Sequence, residues 1–440
     1  MRRLYSGLWW LALPWVVLRL YWRSLRAPDY RKRIAERFGL APFRLARPSI
    51  WLHAVSVGET QAAQRLIREL RERWPECELV VTTTTPTGSR RVRELFGDSV
   101  HHAYLPFDLG PFIRCFLERA RPVLTILMET EIWPNLIDRC ARAGIPVALA
   151  NARLSTRSAR GYRRLGGFTR EVFSRLDLIA AQHRDDAERF IALGARRQAV
   201  RVTGSVKFDF RLPASLREQA EAMRRGWNAA AGEGRMVWVA ASTHAGEDEV
   251  VLAAHRRILA AVPNALLILV PRHPERFEPV AQLIGQQGFV FQRRSAGGAV
   301  TAGTQAYLGD TMGELPLLIA ASDAVFVGGS LIERGGHNVL EPAALGVPVC
   351  FGPHMFNFEV ISRMLLDADA AAVVHNRDEL AATITTWLTD ASIRARIGEN
   401  ARRAVERNRG ALEALLTLLN ASIDCRRDNR AASNERKNPP

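Results

Sequence analysis

From about residue 49 the chain alternates short apolar runs with amphipathic stretches. Residues 49–55 (SIWLHAV) read as a strand and 60–74 (TQAAQRLIRELRERW) as a helix with one apolar stripe. Residues 78–85 (ELVVTTTT), 123–129 (VLTILME) and 146–151 (PVALAN) are further strand candidates. Strands separated by helices imply βαβ units and a parallel sheet. The alternation fades over 205–235 and restarts with 236–243, 265–271, 324–330 and 348–353, before helical residues 385–420. The pattern therefore predicts an α/β protein of two doubly wound, Rossmann-like domains, 27–210 and 236–420, joined by a linker, 211–235. A crevice between the two domains is the expected ligand site. Residues 421–440 are polar and end in Pro-Pro, so a disordered tail is expected there. No repeat of 20–50 residues is visible.

The amino terminus follows a different pattern. Residues 4–22 are apolar except for Ser6 and Arg19, and four tryptophans and two tyrosines lie along them. Aromatic rings of this kind suit a membrane–water boundary. Residues 1–26 are thus expected to be a membrane anchor with a basic flank, a signal-anchor that either spans the bilayer or lies in its interface. Of the 440 residues, 61 are Lys or Arg and 45 Asp or Glu, a formal charge of +16. Residues 1–50 carry eleven of those bases and two acids, so most of the excess flanks the apolar segment. Such placement points to an anionic membrane surface rather than to nucleic acid, with the body of the protein on the cytoplasmic side. The five cysteines are scattered and never form a CxxC pair, which favours reduced thiols and argues against a cysteine-based zinc site.

Five clusters could carry chemistry. Ser56 and Glu59 have the S-x-x-E spacing of a helix capping box, and Glu59 also sits where a general base would, at a strand-to-helix corner. Glu129 and Glu131 close the strand 123–129, and if the strand persists, alternation aims both to one side. Lys207 follows Gly204-Ser205, and Arg272 follows Pro271 at another strand end; each is suited to an anion. The glycine-rich stretches Met312-Gly313-Glu314 and Gly335-Gly336-His337-Asn338, the latter opening a helix with Glu341 in its first turn, are suited to phosphate and ribose. No metal motif occurs; Asp367 and Asp369 have a DxD spacing but read better as a turn at a strand edge. Six arginines without an acid over 151–170 offer a surface for acceptor phosphates or headgroups, or simply a solvated basic helix.

The run HAVSVGE, ETEIWPN, NARLS, TGSVKFD, PRHPER, GDTMGEL and GGHNVLEP, in this order over nearly the whole chain, resembles the 3-deoxy-D-manno-octulosonic acid (Kdo) transferases of lipopolysaccharide synthesis. The resemblance implies a glycosyltransferase-B architecture, with the two domains facing a central cleft. It also implies inverting transfer of Kdo from CMP-Kdo to the lipid A precursor lipid IVA, without metal or other cofactor. On it, Glu59 is the general base, and Glu129 and Lys207 stabilise the transition state. Pro271, Arg272, Met312, Gly313, Glu314, Asn338, Val339, Leu340 and Glu341 bind CMP. The alternatives are a UDP-sugar transferase of the same architecture and a non-catalytic nucleotide-sugar-binding membrane protein.

Overall fold

The computed structural model describes residues 1–25, 27–210, 212–231 and 234–421. The chain divides into two units, Met1–Phe210 together with the chain from Arg409 on, and Arg211–Asn408.

The first unit is built on seven strands: β1 (Ser49–His53), β2 (Glu78–Thr83), β3 (His101–Tyr104), β4 (Pro122–Met128), β5 (Val147–Ala152), β6 (Leu178–Ala181) and β7 (Val200–Val202). They form one parallel sheet in the order β3-β2-β1-β4-β5-β6-β7. Every residue of β1 is buried, and Trp51 pairs with Val80 on one side and Thr125 on the other. Burial on both faces is why this strand reads as a continuous apolar run instead of an alternating one. The strand order reverses between β1 and β4, so the loops leaving these two strands flank a switch point, where open α/β sheets bind ligands.

The second unit repeats the plan with β8 (Val237–Thr243), β9 (Leu266–Pro271), β10 (Phe291–Arg293), β11 (Ala306–Leu308), β12 (Ala324–Val327), β13 (Val349–Phe351) and β14 (Ala371–Val373). Their order is β10-β11-β9-β8-β12-β13-β14, again parallel, with the switch between β8 and β12.

Three expected boundaries move. The stretch 211–235 is not a bare linker, because it holds a helix, Leu216–Ala231, whose Trp227 is buried edge-on to Tyr307, 6.0 Å between ring centres. The second domain does not run to 420. A last helix, 411–421, joins the first unit, where Leu412, Leu415, Leu416 and Leu419 share a core with Ile50, Leu52 and Leu66. Leucines spaced three and four apart form one stripe, and that stripe must be covered. The Asp209 carboxylate fixes the entry, accepting the Gly410 amide at 2.7 Å and the Leu412 amide at 2.6 Å. The expected tail, beyond 421, lies outside the described residues.

The third correction concerns the amino terminus. Arg2–Ser24 is one helix, but no described helix is long and apolar enough to cross a membrane. Pro14, Arg19 and the aromatic rings lower the apolarity that length alone suggested. One face of the helix packs Trp9, Leu13, Val16 and Leu20 against Phe107 and Leu109. The opposite face leaves Leu4, Leu8, Leu11, Trp15, Leu18 and Trp22 exposed. Its first turn is tied down by polar contacts: the Tyr5 hydroxyl donates to Asp108 at 2.9 Å, and Arg2 pairs with Asp138.

Truncating Leu415 to Ala, fully buried under the first sheet, should lower stability by about 2–5 kcal/mol. Urea unfolding of the full chain measures this; an unchanged midpoint would mean that the last helix adds nothing to the first unit.

Candidate active site

The chain leaves β1 through Ala54 and Val55 and turns at Ser56 into the helix Val57–Ala62. Ser56 caps that helix by accepting the Glu59 amide, and the Glu59 carboxylate reaches back to accept the Val55 amide at 2.8 Å. The cap is therefore formed, with Glu59 closing onto the amide before Ser56 instead of the Ser56 amide of a strict capping box. It does not exhaust Glu59, which has no ion-pair partner among the described residues. Burial, with Glu129 and Glu131 nearby, raises its pKa from 4.5 to about 7 against the opposing pull of the Val55 amide. One carboxylate thus both holds the corner and is poised as a base near neutrality.

Glu129 and Glu131 come together with Glu59 by a route other than strand alternation. β4 stops at Met128, and Glu129 takes a left-handed backbone (φ 54°) as its amide bonds to the Ala150 carbonyl at 2.9 Å. The turn sends Glu129 into a buried site between two cations: Lys207 Nζ lies 3.3 Å from one carboxylate oxygen and Arg153 Nε 3.2 Å from the other. Glu131 receives the Trp133 indole N–H at 2.9 Å, and burial, then Glu129, raises its pKa. The Nε2 atom of fully buried His53 lies 4.0 Å from Glu131 and has no hydrogen-bond partner.

Lys207 sits in a single 3₁₀ turn, Val206–Phe208. That turn is placed by Asn151, whose Oδ1 accepts the Val206 amide at 3.2 Å and whose own backbone is left-handed (φ 53°). Arg153, Asn151 and His53 carry no role in the sequence reading. Their signal was position, since NARLS follows the end of β5 and HAVSVGE the end of β1. The arginine-rich stretch 151–170 divides: Arg153 turns to Glu129, while Thr156–Arg164 forms a helix whose arginines are mostly exposed. A groove of about 600 Å³ opens at the opposite, amino-terminal edge of the sheet, among Arg47, Glu72, Glu78 and His101, and none of the catalytic candidates lines it.

The nucleotide candidates all lie in the second unit. Pro271 ends β9, and the Arg272 amide bonds the Thr243 carbonyl at 3.0 Å, joining the loops that leave β9 and β8. Met312 is exposed and Gly313 has a φ of 85°. Glu314 opens the helix Leu315–Ala320, and its carboxylate is held by Arg294 in a two-pronged pair (2.7 and 3.0 Å) that lowers its pKa. The expected open helix start after Gly335-Gly336 is closed by the protein itself. Asn338 Oδ1 accepts the Leu340 amide at 3.0 Å, its Nδ2 donates to Glu341 at 3.0 Å, and the helix, Leu340–Leu345, is short. Burial raises the pKa of Glu341. Asp367 ends the helix Glu359–Asp367 and Asp369 pairs with Arg396. No group of three metal-ligating side chains occurs among the described residues.

Two doubly wound parallel units, each with its polar residues gathered at the carboxyl ends of the strands, form an architecture of the GT-B class. Residues 239–404 match the family model for group 1 glycosyl transferases. A UDP-GlcNAc 2-epimerase from Neisseria meningitidis has the same fold (TM-score 0.56, 13% identity, 84% of this chain and 99% of that one). Residues 32–210 match the model for 3-deoxy-D-manno-octulosonic-acid transferase. Similar proteins of that name come from Haemophilus influenzae, 42% identical over 96% of this chain and 99% of the relative, and from Bordetella pertussis, 39% identical over 94% and 98%. The chain belongs to the 3-deoxy-D-manno-octulosonic-acid transferase family and is an enzyme of Kdo transfer.

The raised pKa of Glu59 has a consequence for stability. Its folded value, about 7, exceeds the unfolded 4.5, so the folded state holds the extra proton between those values. This carboxyl's contribution is complete below about pH 4.5 and is lost as pH rises through about 7. Glu59→Gln should therefore gain thermal stability relative to wild type between about pH 5 and pH 8. Melting curves of both proteins test this, and a difference that ignores pH would return Glu59 to ordinary carboxylate behaviour.

Proposed function

We propose that the enzyme transfers Kdo from CMP-Kdo to lipid IVA in lipopolysaccharide synthesis, by a single inverting displacement with Glu59 as general base. The observation that carries this reading is a half-buried carboxylate with no ion-pair partner among the described residues, its pKa raised to about 7 by desolvation and by two neighbouring carboxylates. Glu59 takes the proton of the acceptor hydroxyl as that oxygen attacks the anomeric carbon. A base of this kind is worth on the order of 10²–10⁴ in rate. Lys207, paired with Glu129, supplies positive charge to the transition state. Arg272 and the loop carrying Asn338 receive the departing nucleotide, and Glu341 with Asn338 offers partners for its ribose. In this reading the protein's own cations meet the phosphate, so that no metal is required. The relatives named as Kdo transferases support the sugar, and the match of the family's motifs to these positions supports the roles.

The acceptor is an amphiphile, which gives the amino-terminal helix a role. Its exposed row of leucines and tryptophans, with Arg19 and Arg23 on the same helix, suits a helix lying in the interface of an anionic bilayer, its apolar face among the acyl chains. The reading places the enzyme on the cytoplasmic side of the bacterial inner membrane. Recovery in the supernatant after incubation with anionic vesicles and sedimentation would count against it.

Four outcomes are expected from transfer assays with lipid IVA and CMP-Kdo. Glu59→Gln loses at least about 100-fold in rate yet still binds CMP, and chelator leaves the wild type unchanged. The acidic limb of kcat/KM falls near pH 7, because the base must be ionised. Arg153→Gln moves that limb to higher pH, because Glu129 then repels the ionised form of Glu59 more strongly. Full transfer by Glu59→Gln would pass the base role to Glu129 or Glu131. CMP binding without transfer by the wild type would favour a binding protein, and turnover with a UDP-sugar a different donor.

A further inference from the structure

Lys207 reaches Glu129 from a single turn, Val206–Phe208, and a turn that short needs outside support to hold a flexible side chain in place. Asn151 supports its front through the Val206 amide. At its back the Asp209 amide closes the turn on the Val206 carbonyl at 3.2 Å, and Val206 and Phe208 are both buried. Val206 shares its core with Leu412, Leu415, Leu416 and Leu419 of the last helix, 411–421.

Asp209 joins the turn to that helix. Gly410 is the N-cap, since its carbonyl accepts the Ala414 amide at 3.0 Å, yet it has no side chain with which to cap. Its φ of 98° also keeps the usual capping residues out of that position. The cap comes instead from 203 residues before Leu412. The buried Asp209 carboxylate pairs with no cation among the described residues; one oxygen accepts the Gly410 amide and the other the Leu412 amide. The Asp209 carbonyl accepts the Arg65 guanidinium, from the helix Gln64–Arg73. This residue, two past Lys207, is therefore fixed at its amide, its carbonyl and its carboxylate. Removing the carboxylate leaves two helix-start amides without their partner, and such groups pull the local chain toward water or a new acceptor.

We propose that Asp209 is a positioning residue for Kdo transfer: by capping the last helix it holds the Lys207 turn where the lysine ammonium meets Glu129. This rests on the role given to Lys207 above. The charged groups bearing on Glu59 are Glu129 and Glu131, and those pairing with Glu129 are Lys207 and Arg153. When Lys207 moves away, Glu129 is less neutralised and Glu59 ionises less readily beside it. Loss of the Asp209 charge alone acts the other way, since one fewer negative charge makes Glu59 easier to ionise. The sign of the change thus separates position from charge.

The test is the pH dependence of transfer from CMP-Kdo to lipid IVA by the full chain, for wild type, Asp209→Ala, Lys207→Met and the double variant, with rates taken per folded enzyme from thermal melts. Asp209→Ala should lower kcat by about 10- to 100-fold and move the acidic limb of kcat/KM to higher pH. Lys207→Met should do the same. Adding Asp209→Ala to Lys207→Met should change kcat by less than about twofold, because the lysine through which Asp209 acts is already gone. Asp209→Asn keeps the volume and one amide contact; it should move the limb the same way by less, and it carries the test if Asp209→Ala does not fold. A limb that stays in place or moves to lower pH, or losses that multiply in the double variant, overturns the proposal and leaves the role of Lys207 standing. Undiminished transfer by Lys207→Met overturns that role, and the proposal with it.

Discussion

Three carboxylates converge where β1 and β4 end, and both neighbouring cations are committed to one of them. Lys207 and Arg153 flank Glu129, leaving Glu59 half-buried and without an ion-pair partner among the described residues. This asymmetry does the chemical sorting. A carboxylate between two cations is a fixed negative charge, whereas a desolvated one beside other acids binds its proton more tightly and becomes a base for neutral pH. The backbone is arranged around the asymmetry. Glu129 and Asn151 both adopt left-handed conformations that L-residues seldom take, one to place a carboxylate and the other to place the lysine turn. Strain of this kind persists only where surrounding contacts overdetermine it, and here it sits beside the proposed general base.

The second unit has the opposite imbalance. The ends of β8, β9 and β12 gather arginines and histidines around a carboxylate, Glu247, that is fully occupied by amides, and of these arginines Arg276 pairs with Asp248 while Arg272 and Arg334 have no ion-pair partner among the described residues. An acid-rich site suits taking a proton from a hydroxyl, and a base-rich site suits a departing phosphate. Both follow from one constraint of parallel sheets: every strand delivers its carboxyl end to the same edge, so loops distant in sequence deliver their side chains to one place.

Much of this was legible in the residues. The strand-to-helix corner at Ser56–Glu59, the acids after β4 and the glycine-rich loop before Asn338 all mark themselves by local chemistry. Even so, the spacing of Ser56 and Glu59 could not separate cap from base, because the same carboxylate closes the cap and is also left without a cation. Alternation along β4 reached the right pair of acids by the wrong geometry, since the strand ends at Met128. His53, Asn151 and Arg153 were silent for another reason: a buried histidine or an arginine after a strand looks ordinary until its partner, tens of residues away, is known. The last helix was assigned to the domain that precedes it because chain order was the sole guide. Its leucine stripe was visible, but not which sheet it would cover.

The sequence by itself determined the class of fold, the polar residues at the strand ends and the membership that goes with their order. Those properties are local, since a run of buried strands, a capping pair or a glycine turn depends on neighbours within a few residues. Only the tertiary structure decided which carboxylate keeps its proton, which lysine faces which acid, and that one aspartate ties the lysine's turn to the last helix. Such outcomes depend on desolvation and on distances of a few ångströms between groups that the chain carries far apart, and no spacing along the sequence encodes either.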